Sequence, residues 1–194
     1  MSHPAVFIDR DGTINVNVHH LHRVEDLQLI PNADKAIAKL NAAGYAIIVI
    51  TNQSAIARGL LTEDGLTEIH TELKRQLATQ NATLNAIYHC PHHPDYGEKI
   101  ICTCRKPKPH MLQHAATKHN LDLSRSYMIG DSLSDLQAGW NAGCQSALVR
   151  TGYGEETWHN ADTQTRDQIS YFGNDLLNVA NWIISQKHLP PTPS

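Results

Sequence analysis

Ala5-Val6-Phe7-Ile8-Asp9-Arg10-Asp11-Gly12-Thr13 carries a strand, a turn and two carboxylates in nine residues. Its first four side chains are apolar without a polar break, as in a strand buried on both faces of a parallel sheet. Asp9 falls where that strand ends, and Gly12 lets the chain turn away. Asp9 and Asp11 point the same way if the backbone stays extended. A carboxylate already ionised at neutral pH is a usable nucleophile toward phosphorus, and a second can move the proton of the leaving group. Two anions repel a phosphate, so this chemistry calls for a divalent cation and a lysine. Asp-Gly alone is also an ordinary turn, so the rest of the chain must decide.

Four more apolar runs follow: Ala46-Ile47-Ile48-Val49-Ile50, Leu84-Asn85-Ala86-Ile87-Tyr88, Tyr127-Met128-Ile129 and Ala147-Leu148-Val149. Helical periods lie between them. Ala33, Ala36, Ile37, Leu40 and Ala43 form one stripe, ended by Gly44. Leu66, Ile69, Leu73 and Leu77 form a second, with Thr62 as the expected N-cap and Glu63 and Asp64 at the positive end of the dipole. Met111 to His119, Leu136 to Ala142 and Asp175 to Ser185 are the other expected helices. Strands alternating with helices predict an α/β fold, a three-layer Rossmann-like parallel sheet with right-handed crossovers. Ligands in such sheets bind beyond the carboxyl ends of the strands. Asp9, Thr51, His89-Cys90 and Asp131 each follow an expected strand there.

Three segments join the two aspartates. Thr51-Asn52-Gln53-Ser54 offers a hydroxyl and free backbone N–H groups to phosphate oxygens. Arg105-Lys106-Pro107-Lys108-Pro109 sets cations before a helix start. Gly130-Asp131-Ser132-Leu133-Ser134-Asp135 supplies a further carboxylate to a metal. Each alone is also a common loop, basic face or helix cap. Separately, Cys90-x-His92 and Cys102-x-Cys104 lie twelve residues apart. They make four soft or borderline ligands, a set that suits tetrahedral zinc and leaves no open position for catalysis. His93 is the rival for the histidine position. Zinc would fix a loop with little apolar content and hold Arg105 and Lys106 in place. Cys144 lies outside this set and is expected to be buried.

In order and strand placement the carboxylate, threonine, lysine and Gly-Asp segments resemble the haloacid dehalogenase phosphatase superfamily over roughly residues 5–152. The resemblance implies Asp9 as nucleophile and Mg²⁺ ligand and Asp11 as general acid/base with its backbone carbonyl on the metal. It also implies Thr51 and Lys106 as phosphoryl holders and Asp131 as the other Mg²⁺ carboxylate. Asp135 either supports the site from behind or only begins the next helix. Asp9 to Asn15, Thr51 to Gly59, Cys90 to Pro94, Cys102 to Pro107 and Val149-Arg-Thr-Gly152 together look like one subfamily. This is the zinc-containing D-glycero-D-manno-heptose-1,7-bisphosphate 7-phosphatase group, close to histidinol-phosphate phosphatases. It implies removal of the C7 phosphate of a heptose bisphosphate on the way to nucleotide-activated heptose for surface glycans, with Arg105 recognising substrate.

The sequence departs from that pattern at Ala55, at His110 and at Ser132, and in the loop after the nucleophile. There the family typically reads Asp-His-Gly-Tyr and this chain has Asn17-Val18-His19-His20. Asn17 and His20 therefore join Asn52, Gln53 and Ser54 as expected substrate contacts. Histidinol phosphate remains an alternative substrate, transfer to an acceptor other than water an alternative reaction, and a zinc-stabilised binding module an alternative class. Intact Asp9 and Asp11 argue against the last.

The whole chain of 194 residues carries a net charge of −3 with its 13 His neutral, so nothing basic points to nucleic acid. No apolar run nears the ~20 residues of a membrane span, and no signal peptide is evident, so a cytoplasmic protein is expected. Only 39 residues separate Asp11 from Thr51, too few for an inserted cap domain. One domain over residues 1–188, a zinc loop over 90–104, a frayed tail over 189–194 and a monomeric state complete the expectations.

Overall fold

The computed structural model describes residues 2–97 and 102–186. The expected tail at 189–194 and residues 98–101 of the expected zinc loop lie outside the described residues. Along the chain run β1 (Ala5–Ile8), α1 (Ala33–Ala42), β2 (Ala46–Asn52), α2 (Ser54–Ala57), α3 (Glu63–Ala78), β3 (Ala86–Cys90) and α4 (His110–His119). Then come β4 (Tyr127–Gly130), α5 (Leu133–Ala142), β5 (Gln145–Val149), α6 (Gly154–Asn160), α7 (Thr163–Gln168), β6 (Tyr171–Gly173) and α8 (Leu176–Gln186).

Unbroken apolar runs become central strands because both faces of the sheet are dry. In β1, Val6 and Ile8 join the core under α1, α3 and α8, while Ala5 and Phe7 join the core under α4 and α5. In β2, Ile47 and Val49 take the first side, and Ile48 and Ile50 the second. Each fully buried Ile or Leu contributes about 1.5–3 kcal/mol through apolar area removed from water. The helices deliver the partner stripes as their periods predict, with Leu66, Ile69, Leu73 and Leu77 of α3 all buried. Thr62 caps α3 by accepting from Gly65 N at 3.0 Å.

All strand pairs are parallel, in the order β3-β2-β1-β4-β5-β6. The order reverses between β1 and β4, and a crevice opens beyond their carboxyl ends at that point. Asp9 N donates to Ile129 O at 2.9 Å, which ties the end of β1 to β4. Between Asp11 and Thr51 the described chain holds only a short 3-10 turn, Val24–Asp26, α1 and the first residues of β2, so no inserted domain covers the crevice from that side.

Several boundaries differ from the sequence reading. The third strand starts at Ala86 rather than Leu84, because Asn85 is spent on β2. Its side-chain oxygen accepts from Ile47 N at 2.7 Å. His89 and Cys90 are therefore the last residues of β3, paired with Thr51 and Asn52, which end β2 rather than follow it. α5 begins at Leu133, three residues before the periodic stripe, because Asp135 Oδ2 accepts from Ser132 N and Oγ at 3.0 and 2.7 Å and starts the helix early. The short elements α2, α6, α7 and β6 carry no periodic stripe long enough to read.

Candidate active site and zinc cluster

Three strands deliver the carboxylate centre. Asp9 leaves β1, Thr51 sits in β2 and Asp131 leaves β4, and all three are nearly or fully buried. Lys106 reaches in from the loop before α4. Its Nζ lies 2.5 Å from Asp9 Oδ1, 2.6 Å from Asp135 Oδ1 and 2.8 Å from Ile50 O. Asp135, the residue with two expected roles, fills both. One oxygen starts α5 and the other faces the lysine. Carboxylate oxygens of Asp9, Asp131 and Asp135 lie within 4.8 Å of one another. These three side chains could hold a metal ion; Asp11, expected to offer its backbone carbonyl rather than its carboxylate, is not part of this side-chain set.

Three buried carboxylates face a single cation. Burial pushes the Asp9 carboxyl well up against the pull of Lys106, and Asp135, Asp131 and Asp11 add to the rise. Burial, then Asp135, lifts Asp131 to about 7. Lys106 is held above its usual value because Asp135 and Asp9 outweigh its own desolvation. The pocket is short of positive charge, and its donors are all hard oxygens. Gly12 and Gly152 floor it. Both adopt left-handed backbone (φ 84° and 59°), and a Cβ on either would strike Asp131 Oδ2.

Asp11 stands apart from that trio. Its Oδ1 accepts from Asn15 Nδ2 at 2.9 Å and its Oδ2 from Gln53 Nε2 at 2.9 Å. Arg10 Nη2 donates to Oδ2 and Oδ1 at 2.9 and 3.1 Å. Burial acts to raise the Asp11 pKa, but the Arg10 charge and these hydrogen bonds outweigh it and hold the group low. Gln53, expected at the substrate, spends its amide on Arg10, Asp11 and Thr51 Oγ1 at 3.0, 2.9 and 2.7 Å. Arg10 was missed because a charged residue between two catalytic ones gives no sign that it is wholly buried.

The remaining expected contacts spread over two walls. Asn17, His20, Asn52 and Ser54 line a cavity of about 280 Å³ together with Asp11. Asn52 also brackets the lysine, accepting from Lys106 N at 3.1 Å and donating to Lys106 O at 3.3 Å. Arg105 faces a separate opening of about 440 Å³ shared with Lys106 and His93, and donates to His92 O at 3.0 Å.

The second cluster is Cys90, His92, Cys102 and Cys104. Cys102 Sγ is 3.4 Å from Cys90 and 3.2 Å from Cys104, and His92 Nδ1 is 3.7 and 3.5 Å from Cys90 and Cys104. His93 points elsewhere, accepting from Asp95 N at 3.1 Å. Cys144 is buried, as expected, away from this cluster. Three thiols and an imidazole converging on one point match the donor chemistry and count of a structural zinc site. Among the described residues no helix is long and apolar enough to cross a membrane.

The chain is similar to known proteins in sequence and in fold. A HAD-hydrolase-like family model matches residues 103–178. A D-glycero-beta-D-manno-heptose-1,7-bisphosphate 7-phosphatase of Photorhabdus laumondii is 44% identical over 153 residues, 77% of this chain and 81% of the relative. A D-glycero-D-manno-heptose-1,7-bisphosphate 7-phosphatase of Thermosynechococcus vestitus is 40% identical over 98% of this chain and 100% of its own. The crystal structure of a D,D-heptose 1,7-bisphosphate phosphatase from B. bronchiseptica, complexed with magnesium and phosphate, superposes with a TM-score of 0.85 at 34% identity, covering 94% of this chain and 99% of that one. With the carboxylate centre and the Cys/His cluster both formed on this sheet, the chain belongs to the heptose-1,7-bisphosphate 7-phosphatase family of HAD-like hydrolases.

Proposed function

We propose that the protein removes the C7 phosphate of D-glycero-D-manno-heptose 1,7-bisphosphate, a step toward nucleotide-activated heptose. The observation that carries this is Lys106, fixed between Asp9 and Asp135 at the mouth of a cavity that also holds Asp131 and Asp11. Asp9 attacks phosphorus while the bond to the C7 oxygen breaks, and Asp11, which must first take up a proton from solvent against the pull of Arg10, passes that proton to the leaving oxygen. Asp11 then takes a proton from the water that attacks the aspartyl-phosphate, which frees phosphate and restores Asp9. Thr51 and Lys106 hold the phosphoryl oxygens. The pocket fits Mg²⁺ by its oxygen donors and its deficit of positive charge. Asp9, Asp131 and the Asp11 carbonyl would hold the ion, with Asp135 beside them, and Mg²⁺ would offset the charge that gathers on the phosphoryl group. Zinc on Cys90, His92, Cys102 and Cys104 would set the loop that carries Arg105.

A substrate with two phosphates needs a second cation, and two are free to serve. Arg105 faces its own opening. Arg58 stacks over the Tyr96 ring at 3.7 Å beside His19 and His20, in a cavity of about 510 Å³, with no carboxylate partner among the described residues. We take the monomer as the working state and the cytoplasm as the compartment. Phosphate release with Mg²⁺ should be compared on heptose 1,7-bisphosphate, histidinol phosphate and fructose 1,6-bisphosphate. A clear preference for the heptose with only the C7 phosphate lost is expected. Preference for histidinol phosphate would keep the chemistry and overturn the substrate.

A further inference from the structure

We infer that Arg10 and His70 form a positioning pair that aims the Asp11 carboxylate for proton transfer, an inference that rests on the phosphatase reading above. Arg10 is fully buried. One side of its guanidinium grips Asp11 and Gln53. The other side, Nη1, lies 3.2 Å from His70 Nε2. A guanidinium has only donors, so Nε2 must offer its lone pair and the ring proton must sit on Nδ1. His70 is therefore a neutral acceptor here. Burial, with the Arg10 charge second, holds its pKa near 3 and so keeps it neutral across the working range.

His70 is delivered by a rigid element. It follows Ile69, whose stripe with Leu66, Leu73 and Leu77 fixes α3 on the sheet. His89 of β3 packs edge-on against it with ring centres 6.1 Å apart, and His89 Nε2 is held by Glu63 Oε2 at 2.9 Å. A continuous path thus runs from Glu63 at the start of α3 and His89 near the end of β3, through His70 and Arg10, to Asp11. Without His70 nothing among the described contacts holds Nη1, and the fork on Asp11 is anchored from one side alone, through Nε and Nη2. A catalytic group displaced by about 1 Å costs up to ~10²-fold in rate, so this distant support reaches the chemistry. Neither residue touches the phosphate, and both act through Asp11.

The test compares His70→Leu with His70→Gln, whose amide oxygen can accept from Arg10 in place of the ring nitrogen. For His70→Leu we expect kcat on the heptose bisphosphate to fall on the order of tenfold while KM stays within about twofold. The loss in kcat/KM should be smaller on p-nitrophenyl phosphate, whose leaving group departs without a proton. His70→Gln should recover most of the rate. Zinc content and urea unfolding establish that each variant is folded, and His70→Met replaces His70→Leu if the latter is not. Equal losses on both esters, an unchanged kcat or no recovery with Gln would overturn the pairing. A wild type silent on the heptose bisphosphate would sink the substrate reading instead. The pairing would then be judged on the crystal structure of His70→Leu, where an Arg10 fork unmoved on Asp11 overturns it and a rotated fork supports it.

Discussion

The carboxylate centre and the thiol centre lie at the same end of the sheet but are held in different ways. Every carboxylate has a protein partner: Lys106 for Asp9 and Asp135, the Tyr153 N–H for Asp131, and Arg10, Asn15 and Gln53 for Asp11. Their strands are central and buried on both faces. Of the thiol ligands only Cys90 belongs to a strand, the edge strand β3, and the set is satisfied mainly by its own members. The first centre is organised by the fold and the second by the ion it would bind. Catalytic geometry should then survive metal removal, and the zinc loop should not.

The strongest test removes the nucleophile. Asp9→Asn should cut turnover by more than ~10⁴-fold while zinc content and the unfolding midpoint stay as in wild type. Residual activity within tenfold of wild type would remove Asp9 from the mechanism. Asp11→Asn should cost ~10²–10⁴-fold, with less loss on p-nitrophenyl phosphate than on the sugar ester.

Breaking the other centre should look different. Cys104→Ser, measured with Mg²⁺ kept saturating, should lose the zinc and cost ~10–100-fold in kcat/KM, mostly through KM, since Arg105 hangs on His92 O. Unchanged kinetics in a zinc-free protein would show that the loop needs no ion, and the contrast between the centres would fall. Arg58→Met should raise KM for the bisphosphate by ~10-fold and leave the 7-monophosphate alone. Equal effects on both would deny Arg58 the second phosphate.

The smallest effect concerns pH. His70 is neutral in the fold, with its pKa held near 3 against an ordinary 6.5. The unfolded chain gains that proton first. The stability it supports is present above pH ~6.5 and is lost as pH falls toward 3, by up to about 1.4 kcal/mol per pH unit. Urea unfolding at pH 7 and pH 5 should show a smaller drop for His70→Gln than for wild type. An equal drop would place the acid sensitivity elsewhere, with the thiol cluster the first place to look.

Some of this was legible because it is local. Asp9 and Asp11 are two residues apart, Cys102 and Cys104 likewise, and Thr62 caps a helix whose stripe follows directly. The Leu84 boundary misled because apolar periodicity cannot show that Asn85 would bond to β2 rather than enter a strand. β6 went unread because three residues make no pattern, and it pairs with β5 alone.

By itself the sequence determined that apolar runs alternate with amphipathic stripes, and therefore the parallel sheet. It also determined which residue types end those runs, and therefore the chemistry. Both follow from spacings of a few residues, where backbone geometry dictates which side chains share a face. The tertiary structure alone decided that Lys106 sits between Asp9 and Asp135, that Arg10 is buried on His70, and that His92 rather than His93 faces the thiols. The first two pairings join residues dozens of positions apart, and the third depends on where an irregular loop turns. They form only when sheet order and core packing have brought those segments together.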